Sequence, residues 1–333
     1  MKTEDFLYDL PAAAIAQSAI EPRDAARLLD TRSMTDHTFA DLPGLLLPGD
    51  LVIVNRTRVR RARLRGTRDT GGAVEVLLLR GLDAGRWEVL ARPTRRLRPG
   101  VRIDFGGIAA TVVTEPDAGR IVVHSEADLG AVAEELGEIP LPPYFHGSLA
   151  DEERYQTVFA DRLGSAAAPT AALHFTDRVV GGLEAGGVEV ARVELEVGLD
   201  TFRPITAGLI EDHRMHSERI VVGEEVVSAI TRTRAAGGRV VAIGTTVVRT
   251  LESAARSGEL RPFVGATDLF ITPGFEFKVV DLVVTNFHVP GSTLIVLVAS
   301  LMGPRWHDVY QTALERGYRF LSFGDAMLVE VAR

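Results

Sequence analysis

Histidine, hydroxyl and amide side chains gather in a few short stretches of this chain. Residues 168–176 (APTAALHFT) are nearly devoid of charge and end by setting His174, Phe175 and Thr176 together at a helix start. Small uncharged residues let a ligand approach the backbone closely, and a histidine can shuttle a proton near neutral pH. The hydroxyl of Thr176 also suits a plain N-cap. Residues 240–246 (VVAIGTT) run from a buried strand through Gly244 into a helix headed by Thr245 and Thr246. Free N–H groups and hydroxyls then face the crevice beyond the strand's carboxyl end, where a carboxylate or phosphate fits. Arg249 and Glu252 stand three apart on that helix. They form either a surface ion pair or a carboxylate clamp and a base.

Other stretches add imidazoles and a cation. His213 and His216 are three apart, but no third ligand follows at helical spacing, so contact with a polar substrate suits them better than a metal site. Asn286 and His288 lie in TNFHVP (285–290) at a strand end, a position equally open to site residues and satisfied loop histidines. Arg154, Tyr155, Gln156 and Thr157 follow a proline-rich segment, where two domains would meet around a ligand.

The elements that must position these groups belong to a globular chain. It has 333 residues, 46% apolar and 25% charged, with net charge −8 and no cysteine. Disorder, collagen, coiled coil, disulfide frameworks and thiolate chemistry are excluded. Dinucleotide-binding, P-loop, zincin and serine-hydrolase motifs are absent. The first residues are acidic and the longest apolar run, 294–302, is short of the ~20 residues that span a bilayer. A cytoplasmic chain without membrane attachment is expected. Charge is lopsided: residues 56–102 hold 14 Arg against four acids, a surplus of +10 that leaves −18 elsewhere. That dipolar distribution fits a polyanion held by one part of the molecule, or a solvated barrel surface.

Short β-type segments at 58–65, 73–80, 86–91, 101–105, 109–115 and 120–125, separated by Gly/Asp turns, predict a small antiparallel barrel of about six strands. A helix at 128–137 precedes the stiff segment 139–144 (IPLPPY). Beyond it helices at 176–185, 224–236 and 246–256 alternate with strands at 188–197, 239–243, 268–272 and 279–285. Residues 49–55 read as a buried strand of the same sheet. The fold expected is an α/β sheet domain (1–58 and 151–333) with the barrel (59–150) inserted.

These stretches together resemble the S-adenosylmethionine:tRNA ribosyltransferase-isomerases of queuosine biosynthesis. The resemblance rests on EPRD (21–24), PGDL (48–51), GGAVEVLL (71–78), LPPY (141–144), ERYQTV (153–158), LHFT (173–176), TFRP (201–204), HRMH (213–216), GTT (244–246), RTLE (249–252), TNFH (285–288) and GDAM (324–327), in order along nearly the whole chain. It implies an α/β domain carrying a barrel, and a metal-free transfer of the ribosyl part of S-adenosylmethionine to the aminomethyl group of a 7-deazaguanine at a tRNA wobble position. S-adenosylmethionine is then a co-substrate with no further cofactor, tRNA with a GUN anticodon is the partner, and a monomer is expected.

On that implied chemistry, His174 or Glu252 moves the proton. Arg249 and the Gly244, Thr245, Thr246 turn take the methionyl carboxylate. Arg154, Tyr155, Gln156, Thr157, Phe175, Thr176, His213, His216, Asn286 and His288 contact substrate, and Arg58, Arg61, Arg95, Arg96 and Arg98 meet RNA phosphates. The chain departs from the family pattern at Arg56, Ala172, Glu196, Asp200 and Val247. Those departures leave open a paralog with another acceptor; loss of catalysis would leave a tRNA-binding protein.

Overall fold

The computed structural model describes every residue except 84, 118, 148, 150, 199–203 and 333. The chain divides into two compact units, Met1–Arg58 with Pro142–Arg333, and Val59–Leu141. The chain thus returns to the first unit inside the proline-rich segment.

The first unit begins with β1 (Arg27–Asp30), β2 (Thr35–Thr38), α1 (Leu42–Leu45), β3 (Leu51–Asn55) and β4 (Thr57–Val59), whose last residue crosses into the second. The second unit holds β5 (Arg63–Arg68), β6 (Ala73–Gly81), β7 (Arg86–Arg92), β8 (Arg102–Asp104), β9 (Ala109–Val112), β10 (Arg120–His124) and α2 (Leu129–Leu136). The first unit then resumes with β11 (Arg162–Ser165), α3 (Asp177–Ala185), β12 (Glu189–Leu195), β13 (Glu218–Val222), α4 (Glu224–Ala235), β14 (Val240–Ile243) and α5 (Thr245–Ala254). It closes with β15 (Phe263–Thr267), β16 (Leu282–Asn286), α6 (Thr293–Met302), α7 (Trp306–Glu315) and β17 (Ala326–Glu330).

Nine of these strands make one mixed sheet in the order β15-β13-β12-β3-β14-β16-β17-β1-β2. The central run β12, β3, β14 and β16 is parallel throughout, so four strands end on one edge. Period-two alternation explains why the sheet is covered twice. Leu51, Ile53, Val240, Ala242 and Val283 pack with α4, α5, α6 and α7. Val52, Val54, Val241, Ile243 and Val284 pack with α1 and α3 on the other face.

The second unit is a closed antiparallel barrel, β10-β7-β6-β5-β8-β9. Val74, Val76 and Leu78 of β6 alternate inward to join Val89, Ile103, Val112, Ile121 and Val123, with Leu129 and Ala133 of α2 in the same core. Gly66 is required by space: a Cβ there would lie 2.7 Å from Phe105 and 2.8 Å from the Asp104 carbonyl oxygen.

Several sequence expectations need correction. The segment 268–272 is not a strand; the preceding segment, β15, pairs instead with the edge of β13 that β12 leaves open. The run expected at 58–65 is broken into β4 and β5. Helix α6 escaped assignment because it is buried on almost every side, which erases the amphipathic period. Among the described residues no helix is long and apolar enough to cross a membrane.

Candidate active site

A cleft opens where β12, β14 and β16 end. Its lining comes from residues 168–171, Val197, Gly244 to Thr246, residues 285–289, Tyr144 and Ser322, and none of the described lining side chains is a carboxylate, guanidinium or ammonium. Gly244 adopts φ 89°, a left-handed conformation that turns the chain sharply from β14 into α5. The amides of Thr245 and Thr246, which open α5, have no intrahelical acceptor. The hydroxyl of Thr246 is buried there and has no hydrogen-bond partner among the described residues.

At the end of β16, Thr285 Oγ1 lies 2.9 Å from His288 Nε2. Burial pushes the His288 imidazole down to about 3, so it is neutral at physiological pH. The backbone on both sides of that ring is fixed, its N–H donating to Tyr310 Oη at 3.1 Å and its carbonyl accepting from Tyr8. Across the cleft Tyr144 Oη and Ser322 Oγ are 2.6 Å apart, and burial raises the phenol to about 12.

Asn286 ties this lining to His174. Its Oδ1 accepts from Thr170 Oγ1 at 2.8 Å, while Nδ2 donates to the Asp325 carbonyl at 3.2 Å and faces His174 Nε2 at 3.3 Å. Burial and then the charge of Arg154 lower the His174 pKa to about 4, opposed by a bond from the ring to the Arg23 backbone. With an amide donor at Nε2 and a carbonyl at the other nitrogen, the neutral ring carries its proton on Nδ1 and keeps the Nε2 lone pair. It stands behind Asn286 in an adjoining smaller pocket with Arg154.

A second polar cluster sits one turn along α5. Arg249 is buried, donating from Nε to the Leu269 carbonyl at 3.0 Å and from Nη1 to Glu218 at the head of β13. Glu218 also accepts the Gly198 N–H at 2.8 Å and lies 3.2 Å from His216 Nε2. Burial alone would raise this carboxyl; Arg249, His216 and the Gly198 N–H outweigh it and hold it at about 2. Burial, then neighbouring His216, lowers the pKa of His213, whose ring packs edge-on against Phe270 at 5.4 Å.

Other expected site residues lie elsewhere. Glu252 does not line the cleft: its carboxylate accepts the N–H groups of Lys278, Val279 and Val280 at 2.9, 3.0 and 3.0 Å, which ties α5 to the approach to β16. Arg249 is likewise committed to Glu218 rather than placed on the cleft wall. Phe175 is a core ring between Phe39 and Phe159. Thr176 caps α3 and donates to Asp24 at 2.7 Å. Tyr155 is fully buried against Phe323, the Gln156 carbonyl accepts from Arg23, and Thr157 Oγ1 accepts the Phe159 N–H.

Of the arginines expected to meet RNA, Arg58 is paired with Glu153, and Arg61 donates to the Glu134 carbonyl at 3.4 Å. Arg95 and Arg96 are exposed in a short turn, and Arg98 meets Glu115 at 2.6 Å. Sequence reasoning missed Tyr144, Thr170, Glu218 and Ser322. Tyr144 was visible in LPPY, but only His216 lies near Glu218 in sequence, and its other partners, Gly198 and Arg249, are 20 and 31 residues away.

The described departures from the family pattern avoid the cleft. Arg56 forms a two-point pair with Asp161 at 2.5 Å, Ala172 and Val247 are core residues, and Glu196 meets Arg219 at 3.1 Å. Asp200 lies outside the described residues, as does most of TFRP (201–204).

Residues 3–329 match the family model of queuosine biosynthesis proteins. The chain is 50% identical over 343 aligned positions to an S-adenosylmethionine:tRNA ribosyltransferase-isomerase of Symbiobacterium thermophilum, covering 99% of this chain and 100% of that one. It is 49% identical to the protein of the same name from Heliobacterium modesticaldum, over 97% and 98% of the two chains. The crystal structure of an S-adenosylmethionine tRNA ribosyltransferase from Thermotoga maritima superposes with a TM-score of 0.56 at 35% identity, covering 97% of this chain and 99% of that one.

Proposed function

The chain belongs to the queuosine biosynthesis protein family, and from that premise we propose that it is the ribosyltransferase-isomerase acting on tRNA with a GUN anticodon. The ribosyl part of S-adenosylmethionine passes to the 7-aminomethyl-7-deazaguanine at the wobble position, giving epoxyqueuosine-tRNA, adenine and methionine. S-adenosylmethionine is the co-substrate and no other cofactor takes part; the enzyme works as a cytoplasmic monomer.

One observation carries this reading: a cleft at the strand ends lined by hydroxyls, an amide and a neutral imidazole, with no ionised side chain among its described lining. A sulfonium substrate is cationic, and such walls accept it without repulsion. The N-terminus of α5, with Thr245 and Thr246, offers N–H and O–H donors to the methionyl carboxylate.

The sulfonium acidifies the C5′ protons. Removal of one forms an ylide that expels adenine from C1′; the amine then attacks the sugar, methionine leaves, and an oxygen closes the epoxide. His174 is the candidate to accept the proton: its neutral ring bears one lone pair, at Nε2, which must part from the Asn286 amide to reach the cleft. Exposed Arg95 and Arg96 on the barrel unit supply phosphate contacts.

The test is adenine release from S-adenosylmethionine, followed by chromatography with three acceptors in parallel: tRNA carrying the aminomethyl base, the free base, and buffer. Adenine is expected only with the modified tRNA. Release with the free base would identify a small-molecule acceptor instead, and no release at all would leave a tRNA-binding protein.

A further inference from the structure

Beside the cleft, and sharing Ser322 with it, is a smaller pocket lined by Ala19, Ile20, Arg23, Arg154 and His174. Two guanidinium groups enter it from separate 3-10 turns, Arg23–Ala25 and Glu152–Tyr155. Arg23 donates to the carbonyls of Gln156 at 2.6 Å and Glu153 at 2.8 Å. Arg154 donates from Nη2 to the Ile20 carbonyl and from Nε to the Glu21 carboxylate. Arg23 Nε and Arg154 Nη1 have no partner among the described residues.

The charge balance is uneven. Carbonyls satisfy donors but neutralise nothing, and Glu21 is the only carboxylate among the described residues that is hydrogen-bonded to either guanidinium. Its side chain is 68% exposed, whereas that of Arg154 is 15% exposed. The two cations also feel each other: after burial, Arg154 is the largest cause lowering the Arg23 pKa. A half-buried pair of guanidinium groups whose only hydrogen-bonded carboxylate among the described residues faces solvent, with Asp151 and Glu153 acting on Arg23 through space, is built to exchange that carboxylate for another oxyanion.

We propose that this pocket takes one phosphodiester of the RNA strand whose nucleoside enters the cleft, and that Glu21 holds the phosphate position when RNA is absent. The proposal rests on the tRNA reading above. Donors arriving from two directions suit a tetrahedral oxyanion, and the rim at Ala19 to Glu21 is partly or fully exposed, so a chain passing outside can seat one phosphate. The other oxyanion at hand, the methionyl carboxylate, already has the start of α5. The shared Ser322 makes the two recesses contiguous, as a nucleoside and its own phosphate require.

The experiment uses the full chain, an anticodon stem-loop carrying the aminomethyl base, and S-adenosylmethionine, with RNA affinity by fluorescence titration and adenine release in parallel. Glu21→Gln removes the competing negative charge from Arg154 and should tighten RNA about threefold without changing KM for S-adenosylmethionine. Arg154→Gln should weaken RNA about tenfold and make the salt dependence shallower by about 0.7 in log–log slope, the share of one single-stranded phosphate. Inorganic phosphate should compete with RNA on the wild type and lose that effect in Arg154→Gln.

If both substitutions weaken RNA, the Glu21–Arg154 pair is merely structural and the proposal fails. A changed KM for S-adenosylmethionine with unchanged RNA affinity would assign the pocket to the carboxylate and also overturn it. Because Glu21→Gln leaves every arginine in place, misfolding of Arg154→Gln does not blunt the test. Binding without adenine release would overturn the proposed reaction while the same titrations still judge the pocket.

Discussion

The guanidinium of Arg249, on the second turn of α5, closes on the carboxylate of Glu218 at the first residue of β13, and both side chains are buried. The pair fastens the helix that starts at the cleft to the strand beside β12. Breaking a buried pair by removing one partner leaves an uncompensated charge, which costs about 3–5 kcal/mol.

Glu218→Gln should therefore lower unfolding free energy by about that amount in urea titrations at pH 7. The pH dependence has a definite sign. The Glu218 pKa is about 2 in the folded chain, against 4.5 for the free group, so its stabilisation is complete above 4.5 and is lost as pH falls toward 2. The wild type should lose its advantage over the variant across that window; a constant difference from pH 6 to pH 2 would refute the assignment.

Thr246 gives a test in which stability and binding move apart. Its hydroxyl is buried in the cleft without a partner, a cost in the unliganded fold. Thr246→Val keeps the shape and removes that cost, so thermal unfolding should be unchanged or stabilised by about 1 kcal/mol. If the hydroxyl serves the carboxylate of S-adenosylmethionine, KM for that substrate should rise about tenfold, equivalent to one hydrogen bond to a charged group. Unchanged KM would remove Thr246 from the binding surface.

His174 should matter through its lone pair. With a pKa of about 4 it stays neutral through physiological pH, so its contribution to kcat/KM should be flat from pH 5.5 to 8 and fall as it protonates below 5. His174→Ala should reduce adenine release by about 10²–10⁴, the usual range for a general base. Asn286→Ala should lower kcat by a smaller factor, since it holds the ring without accepting the proton. Wild-type turnover in His174→Ala would move the base elsewhere.

The parts of this molecule written in local pattern were legible. The barrel showed itself because Val74, Val76 and Leu78 alternate between turn signals, and the crevice because Gly244 follows four buried residues and precedes two threonines. What failed depended on tertiary partners. Arg249 and Glu252 share a helix face pattern that fits a clamp and a base, yet Glu218 takes one and three amides beyond α5 take the other. No spacing rule reaches across the 31 residues between Glu218 and Arg249. Thr176 and Phe175 went the ordinary way of hydroxyl and ring, to a cap and a core.

The arginine surplus makes its own prediction, sharpened by which cations are already paired. Arg98 meets Glu115 and Arg58 meets Glu153, whereas Arg95 and Arg96 stand exposed in the turn after β7. An exposed pair is worth little to the fold, so reversing these charges should leave the barrel intact. Arg95→Glu with Arg96→Glu should weaken tRNA at least tenfold near physiological salt and make the log–log salt slope shallower by about 1.4–1.8, two phosphates' worth. Arg98→Glu should do less, because much of its charge is already neutralised by Glu115. Equal effects from all three positions would mean that RNA displaces Glu115, and unchanged affinity in the double variant would place the RNA surface away from this turn.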